Sequence, residues 1–227
     1  MLLNLIICME VLIMRIPKHI GIIPDGNRRW AVKQGLSKEK GYENGLEPGI
    51  KLFKLCKEIG IKEITYYGFT MDNTKRAAIQ TQAFINACVK AVNILSHEDA
   101  SLLVLGNSNS PLFPEELKPY TNRQKFQNGS IKINFLVNYG WNWDLSKLYN
   151  NEQKSKKSLM EGLYSSDISR IDLIIRWGGR RRLSGFLPVQ SVYSDFYVVD
   201  DYWPDFKPQH LYDALEWYNT QDITLGG

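Results

Sequence analysis

Short apolar runs alternate along the chain with stretches in which apolar residues recur every three or four positions. HIGII at 19–23, ITYYGF at 64–69, Leu102–Leu105, INFLVNYG at 133–140, IDLIIR at 171–176 and FYVV at 196–199 predict six strands. Leu46, Ile50, Phe53 and Ile59 have the spacing of an amphipathic helix over 43–58. Ile79, Phe84, Ala87, Cys88, Ala91 and Leu95 fall on or near one face of a second helix over 75–95. The polar, Lys/Ser-rich stretch 145–168 reads as a helix plus an exposed loop rather than a linker. Strands with little alternation, separated by helices, imply a parallel sheet covered on both faces. The expectation is a single α/β domain with a central, mostly parallel six-stranded sheet surrounded by helices. Residues 1–17 stand apart as an N-terminal extension, and the domain runs over 18–227.

That extension begins with an apolar run, residues 1–14, interrupted by Asn4 and Glu10. A spanning helix needs roughly 20 apolar residues, and a signal peptide needs a basic start and a small-residue cleavage site. Neither requirement is met. Three readings stay open: an artefact of start-codon choice, with Met9 and Met14 as alternative starts; a packing or dimer-contact helix; and a membrane-touching segment.

Composition excludes several classes. With 44% hydrophobic and 23% charged residues, the 227-residue chain has the make-up of a folded domain, not a disordered one. A net charge of +4 suits an anionic substrate but falls short of the basic stripe of a nucleic-acid binder. Cys8, Cys56 and Cys88 are scattered and odd in number, which points to a reduced, cytoplasmic protein. His19, His97 and His210 are the only histidines, too few for a multi-histidine metal site.

In an open α/β sheet ligands bind beyond the carboxyl ends of the strands, and polar residues follow several of these strands. PDGNRRW, 24–30, is a strand, a glycine turn and a helix start, a geometry that presents backbone N–H groups to an anion. Arg28 and Arg29 add charge there, and Asp25 could hold a divalent cation bridging phosphate oxygens. An ordinary capped turn is the alternative. RWGGRRRLSGF, 176–186, sets Arg176, Arg180, Arg181, Arg182 and Ser184 directly after an apolar strand. Arginine forks match phosphate oxygens bidentately, and clustering four of them without an anion would be costly; a solvated basic loop is the alternative. In the tail SDFYVVDDYWPDF, Asp195 is a candidate second magnesium ligand, while Asp200, Asp201 and Asp205 read as surface caps and turn residues. Tyr66, Tyr67, Phe69, Tyr139, Trp141 and Trp143 gather near strand ends, either as core or as an aromatic wall facing an apolar or cationic intermediate.

Together IGIIPDGNRRW, YYGFTMDN, FLVNYGW and IIRWGGRRRLSGFLPVQSVYSDFYVVDDYWPDF resemble the cis-prenyltransferase family, in order, from about residue 18 to the C-terminus. The resemblance implies a homodimeric, Mg2+-dependent enzyme acting on prenyl diphosphates (dimethylallyl, isopentenyl or longer), with an apolar pocket for the isoprenoid chain. It implies that Asp25 serves the allylic diphosphate and magnesium, and that Gly26, Asn27 and Arg29 form the diphosphate loop with Arg28 and Trp30 beside them. Lys38 falls where the family often has an arginine on that diphosphate. Asn73, with Phe69 and Thr70, matches the second segment. Arg176, Arg182 and Ser184 match ligands of the second diphosphate, and Asp195 matches a late acidic metal ligand. Asp25, Asn27 and Asn73 are the expected catalytic residues.

The chain also departs from the family pattern. Tyr42 replaces a histidine, Arg180 replaces a glutamate beside the second diphosphate, Thr74 replaces a tryptophan, and Trp141-Asn142 replace Gly-Arg. Tyr for that histidine and loss of that glutamate are similar to the irregular, head-to-middle members of the family. The expected product is therefore short-chain or irregular; regular cis-elongation and terpene cyclisation on the same scaffold are the alternatives. Trp141 and Trp177 are expected to close the pocket.

Overall fold

The computed structural model of the chain describes residues 15–150 and 160–222. The apolar run 1–14, with Cys8, lies outside them, as do 151–159 and 223–227.

The strands are β1 His19–Ile23, β2 Glu63–Tyr67, β3 Ser101–Leu105, β4 Gln124–Lys125, β5 Lys132–Leu136, β6 Leu173–Arg176 and β7 Asp195–Val198. They form one sheet in the order β4-β3-β5-β2-β1-β6-β7. Every pairing is parallel except that of β4 with β3. The sheet thus has seven strands where the apolar pattern marks six. β4 is two exposed residues long, and its Gln-Lys sequence carries no apolar signal.

The helices are α1 Asn27–Lys33, α2 Lys40–Asn44, α3 Leu46–Ile59, α4 Ala78–Leu95, α5 Trp141–Ser146 and α6 Pro208–Asn219. The helix expected over 43–58 is thus α3 preceded by the single turn of α2. α4 turns Thr81, Ile85, Cys88, Val92 and Leu95 inward. Ile79 was expected near the buried face but is 63% exposed, because on the helix it lies opposite the stripe of Thr81, Ile85 and Cys88. In the 145–168 stretch, the described residues are helical up to Asn150 and form turns and bends over 160–168.

One face of the sheet packs Ile20, Ile22, Ile64, Ile133 and Ile175 against Leu52, Phe53 and Cys56 of α3, Val92 and Leu95 of α4 and Leu211 and Leu215 of α6. The other face buries Leu103, Leu136 and Ile174 under Ile168, Ile171, Phe186 and Leu187. Each fully buried aliphatic or phenyl side chain contributes about 1.5–3 kcal/mol. Burial on both faces explains why β1, β3 and β6 read as unbroken apolar runs. Among the described residues no helix is long and apolar enough to cross a membrane.

Candidate active site

A cleft of about 890 Å3 opens at the carboxyl ends of β1, β2 and β6. Its lining includes Asp25, Gly26, Asn27, Arg28, Arg29, Lys38, Tyr42, Thr70, Asn73, Arg176, Arg180, Arg182 and Ser184. These thirteen residues, all singled out in the sequence, are therefore brought together. Eight lysines and arginines line the cleft against two aspartates, Asp25 and Asp72, so it attracts anions.

The turn after β1 sets the geometry. Gly26 has φ 100°, in the left-handed region that a side chain makes costly, and α1 starts at the next residue. Asp25 Oδ1 accepts the Gly26 N–H at 2.6 Å, and Oδ2 accepts from Arg176 at 2.7 Å. Arg29 Nη2 lies 3.4 Å from the same carboxylate. Burial opposes ionisation of Asp25, but the Arg176 hydrogen bond, the charges of Arg176 and Arg29 and the Gly26 N–H outweigh it and hold the carboxyl below its ordinary range.

Arg176, the last residue of β6, is 4% exposed. It also donates to the Arg182 carbonyl and, at 3.2 Å, to Ser184 Oγ. Its Nε, Arg29 Nη2 and Asn27 Oδ1 are buried without a hydrogen-bond partner. Unpaired buried guanidinium N–H groups are expensive, and a bound anion would satisfy them.

A second, apolar cavity of about 80 Å3 shares Pro24, Asn27, Tyr42, Gly68 and Phe84 with the cleft and runs inward to Leu95, Tyr66, Phe135 and Trp203. Tyr42 and Phe84 stack at 4.5 Å at the junction, and the Tyr42 hydroxyl accepts from Arg76 at 2.8 Å. Burial raises the Tyr42 pKa against the pull of Arg76 and Arg28, which keeps the phenol protonated. Tyr66 and Phe135 stack at 5.2 Å as the inner wall.

Three predicted residues lie elsewhere. The Trp30 indole donates to Asp205 at 2.7 Å, behind the turn. Phe69 is fully buried, edge-on to Phe84. Asp195 opens β7, paired in register with Leu173, whereas Arg176 pairs with Val198. Three residues of strand are about 10 Å, so Asp195 sits at the opposite end of the sheet from Asp25 within the chain. Burial raises its pKa, and Arg15 opposes the shift.

Neither tryptophan expected to close the pocket lines it. Trp177 is fully buried against Trp203 and Phe206, and Trp141 is 45% exposed beside Gly185. Of the aromatic residues near strand ends, Tyr67 lines the cleft, and Arg76 and Tyr202 line it without having been singled out. Arg76 sits three residues beyond the marked Asn73, and Tyr202 lies in the aromatic-acidic DDYWPDF stretch.

Among the described residues no group of three or more His, Cys, Asp or Glu could hold a metal ion. One ionised carboxylate at a phosphate-sized cleft does fit Mg2+, which is typically held by one or two carboxylates plus substrate phosphates. Asp25 is the residue that would hold it.

The family model for undecaprenyl diphosphate synthase matches residues 23–226. An isoprenyl transferase of Leptospira interrogans is 30% identical over 230 residues, covering 93% of this chain and 95% of its own. A ditrans,polycis-undecaprenyl-diphosphate synthase, (2E,6E)-farnesyl-diphosphate specific, of Buchnera aphidicola is 32% identical over 229 residues, covering 92% and 91%. In fold, the chain is similar to lavandulyl diphosphate synthase of Lavandula x intermedia, solved in complex with dimethylallyl diphosphate. That likeness has a TM-score of 0.81 at 21% identity, covering 93% of this chain and 98% of that one.

Proposed function

The chain belongs to the undecaprenyl diphosphate synthase family of prenyltransferases, and from that premise we propose that it couples a small allylic diphosphate to a second prenyl diphosphate, giving a short-chain or irregular, head-to-middle product. The observation that carries this reading is the size of the apolar cavity. At about 80 Å3 it has room for roughly five to eight water-sized groups, close to one isoprene unit. The Tyr42–Phe84 stack narrows its entrance and Tyr66–Phe135 its inner end.

The chemistry follows from charge. The allylic C–O bond breaks and diphosphate leaves with the electron pair. The alkene of the second substrate attacks the allylic cation, a C–C bond forms, and the adjacent proton passes to the released diphosphate. The DGN turn, Arg29 and Lys38 hold the leaving diphosphate. Arg176, Arg182 and Ser184 hold the second, with Arg180 altering how its head sits. Asn27 and Asn73 orient the first group, and Tyr42 and Phe84 screen the cation from water. Asp25 would hold Mg2+, which would supply further charge to the departing diphosphate. The lavandulyl diphosphate synthase structure holds dimethylallyl diphosphate, an allylic diphosphate of the size proposed here.

The working enzyme is read as one catalytic domain over 18–227 in a homodimer. The buried thiols of Cys56 and Cys88 suit a reducing, cytoplasmic setting.

A second reading is regular elongation, favoured by the Buchnera relative's name and near-complete coverage. It requires the cavity to open well beyond its present volume. Mass spectrometry of hydrolysed products decides. A branched or cyclic ten-carbon alcohol from dimethylallyl diphosphate and Mg2+ alone supports irregular coupling. Long polyprenols formed only with added isopentenyl diphosphate overturn the short-chain reading.

A further inference from the structure

Tyr202 lies in the loop after β7, was assigned no role from the sequence, and lines the cleft. A Cβ placed on Gly26 would meet its Cδ1 at 2.6 Å and its Cβ and Cγ at 3.1 Å, so the Tyr202 side chain packs against the bare α-carbon of the glycine turn. The Arg29 guanidinium carbon stands 5.1 Å from the ring centroid. On another side, a Cβ on Gly178 would fall 2.5 Å from Arg29 Nη2. Arg29 is thus flanked by an aromatic ring and a glycine, and that Nη2, 3.4 Å from the Asp25 carboxylate, has no hydrogen-bond partner. The loop is pinned to the same turn, since the neighbouring Trp203 N–H donates to the Asp25 carbonyl at 3.0 Å.

We propose that Tyr202 is a positioning residue for diphosphate, its ring fixing the Arg29 guanidinium so that the arginine's in-plane N–H groups meet the anion already ordered. Stacking engages the face of a guanidinium and leaves its N–H edge free for phosphate oxygens. Without the ring, Arg29 would keep several rotamers and lose that freedom on binding, at a cost in affinity. The aromatic face carries this role, not the hydroxyl. The inference rests on the reading of the DGN turn as a diphosphate site.

The test measures inorganic pyrophosphate binding by calorimetry, with thermal melts as a check of folding. Wild-type protein that fails to bind pyrophosphate overturns the diphosphate-site reading itself. Given wild-type binding, Tyr202→Phe is expected to keep the affinity. Tyr202→Leu and Tyr202→Met, two non-aromatic replacements, weaken it roughly three- to tenfold. In an Arg29→Ala background the same replacements have no further effect, because the ring then has nothing to hold. Equal weakening by Tyr202→Phe and Tyr202→Leu, or undiminished weakening without Arg29, overturns the role assigned to Tyr202. So does unchanged affinity in whichever non-aromatic variant folds.

Discussion

Asp25 and Arg176, 151 residues apart in sequence, meet at 2.7 Å across the carboxyl ends of β1 and β6. The aspartate that would hold the cation of one diphosphate is therefore paired with the arginine assigned to the other. Asp25→Asn removes that charge while keeping the shape of the turn. Steady-state diphosphate release should fall by roughly 100-fold or more, with circular dichroism unchanged. The ion pair also stabilises the fold at neutral pH. The folded pKa of Asp25 lies below its unfolded value, so this contribution is complete above about pH 4 and is lost as pH falls through the folded pKa. Urea midpoints of wild type and Asp25→Asn should converge at the acid end.

Product length should respond to the inner wall of the apolar cavity. Phe135 stacks on Tyr66 there and is 5% exposed. Phe135→Ala should shift products toward longer chains in mass spectra, at a stability cost of about 3–5 kcal/mol. An unchanged product distribution would show that this wall does not set the length.

Gly178 has φ 82°, and a Cβ there would meet Arg29 Nη2 at 2.5 Å and the Asp25 backbone at 3.2 Å. Gly178→Ala should cost about 1–2 kcal/mol for the left-handed conformation. Displacing Arg29 should raise KM for the allylic diphosphate several-fold, with a smaller change in kcat. A fall in kcat at constant KM would place the damage elsewhere.

His210 should give the protein an acid-sensitive step. Its Nδ1 accepts from the Trp177 indole at 3.2 Å and the Lys207 N–H at 3.3 Å, which requires the neutral ring. Burial lowers its pKa, only partly offset by Asp201. The unfolded state therefore takes up the proton first, at about pH 6.5. Stability is full above that pH and declines as pH falls towards the lower folded value. In His210→Gln, denaturant midpoints should lose this slope between about pH 7 and pH 5.

The sheet was legible because its strands are buried on both sides and so are apolar without alternation. Asp25, Arg176 and Ser184 were legible because they stand at or beyond the carboxyl ends of such strands. β4 was not, since two polar residues on an edge leave no hydrophobic trace. Asp195 shows the limit of motif reading: an acidic residue next to an apolar run can stand at either end of a strand, and here it stands at the leading end. Tyr202 and Arg76 were hidden for a different reason. They reach the cleft from loops whose path is set by distant contacts, such as the Trp203 N–H on the Asp25 carbonyl. Trp177 looked like a pocket residue because it follows Arg176. A residue one step further along a strand faces the other way, and that side is the helix-covered core.

The position of β1 between β2 and β6 has a consequence for how the protein is made. β2 is within reach soon after β1 emerges, but β6 comes some 150 residues later. Contacts of such separation fold late, because a long loop must close before they are rewarded. A ribosome-bound chain lacking β6 holds the DGN turn without its arginine partner, and the exposed edge of β1 is open to pairing with other chains. Catalytic competence should therefore appear in a single late step of synthesis, and chaperone demand should be greatest just before it.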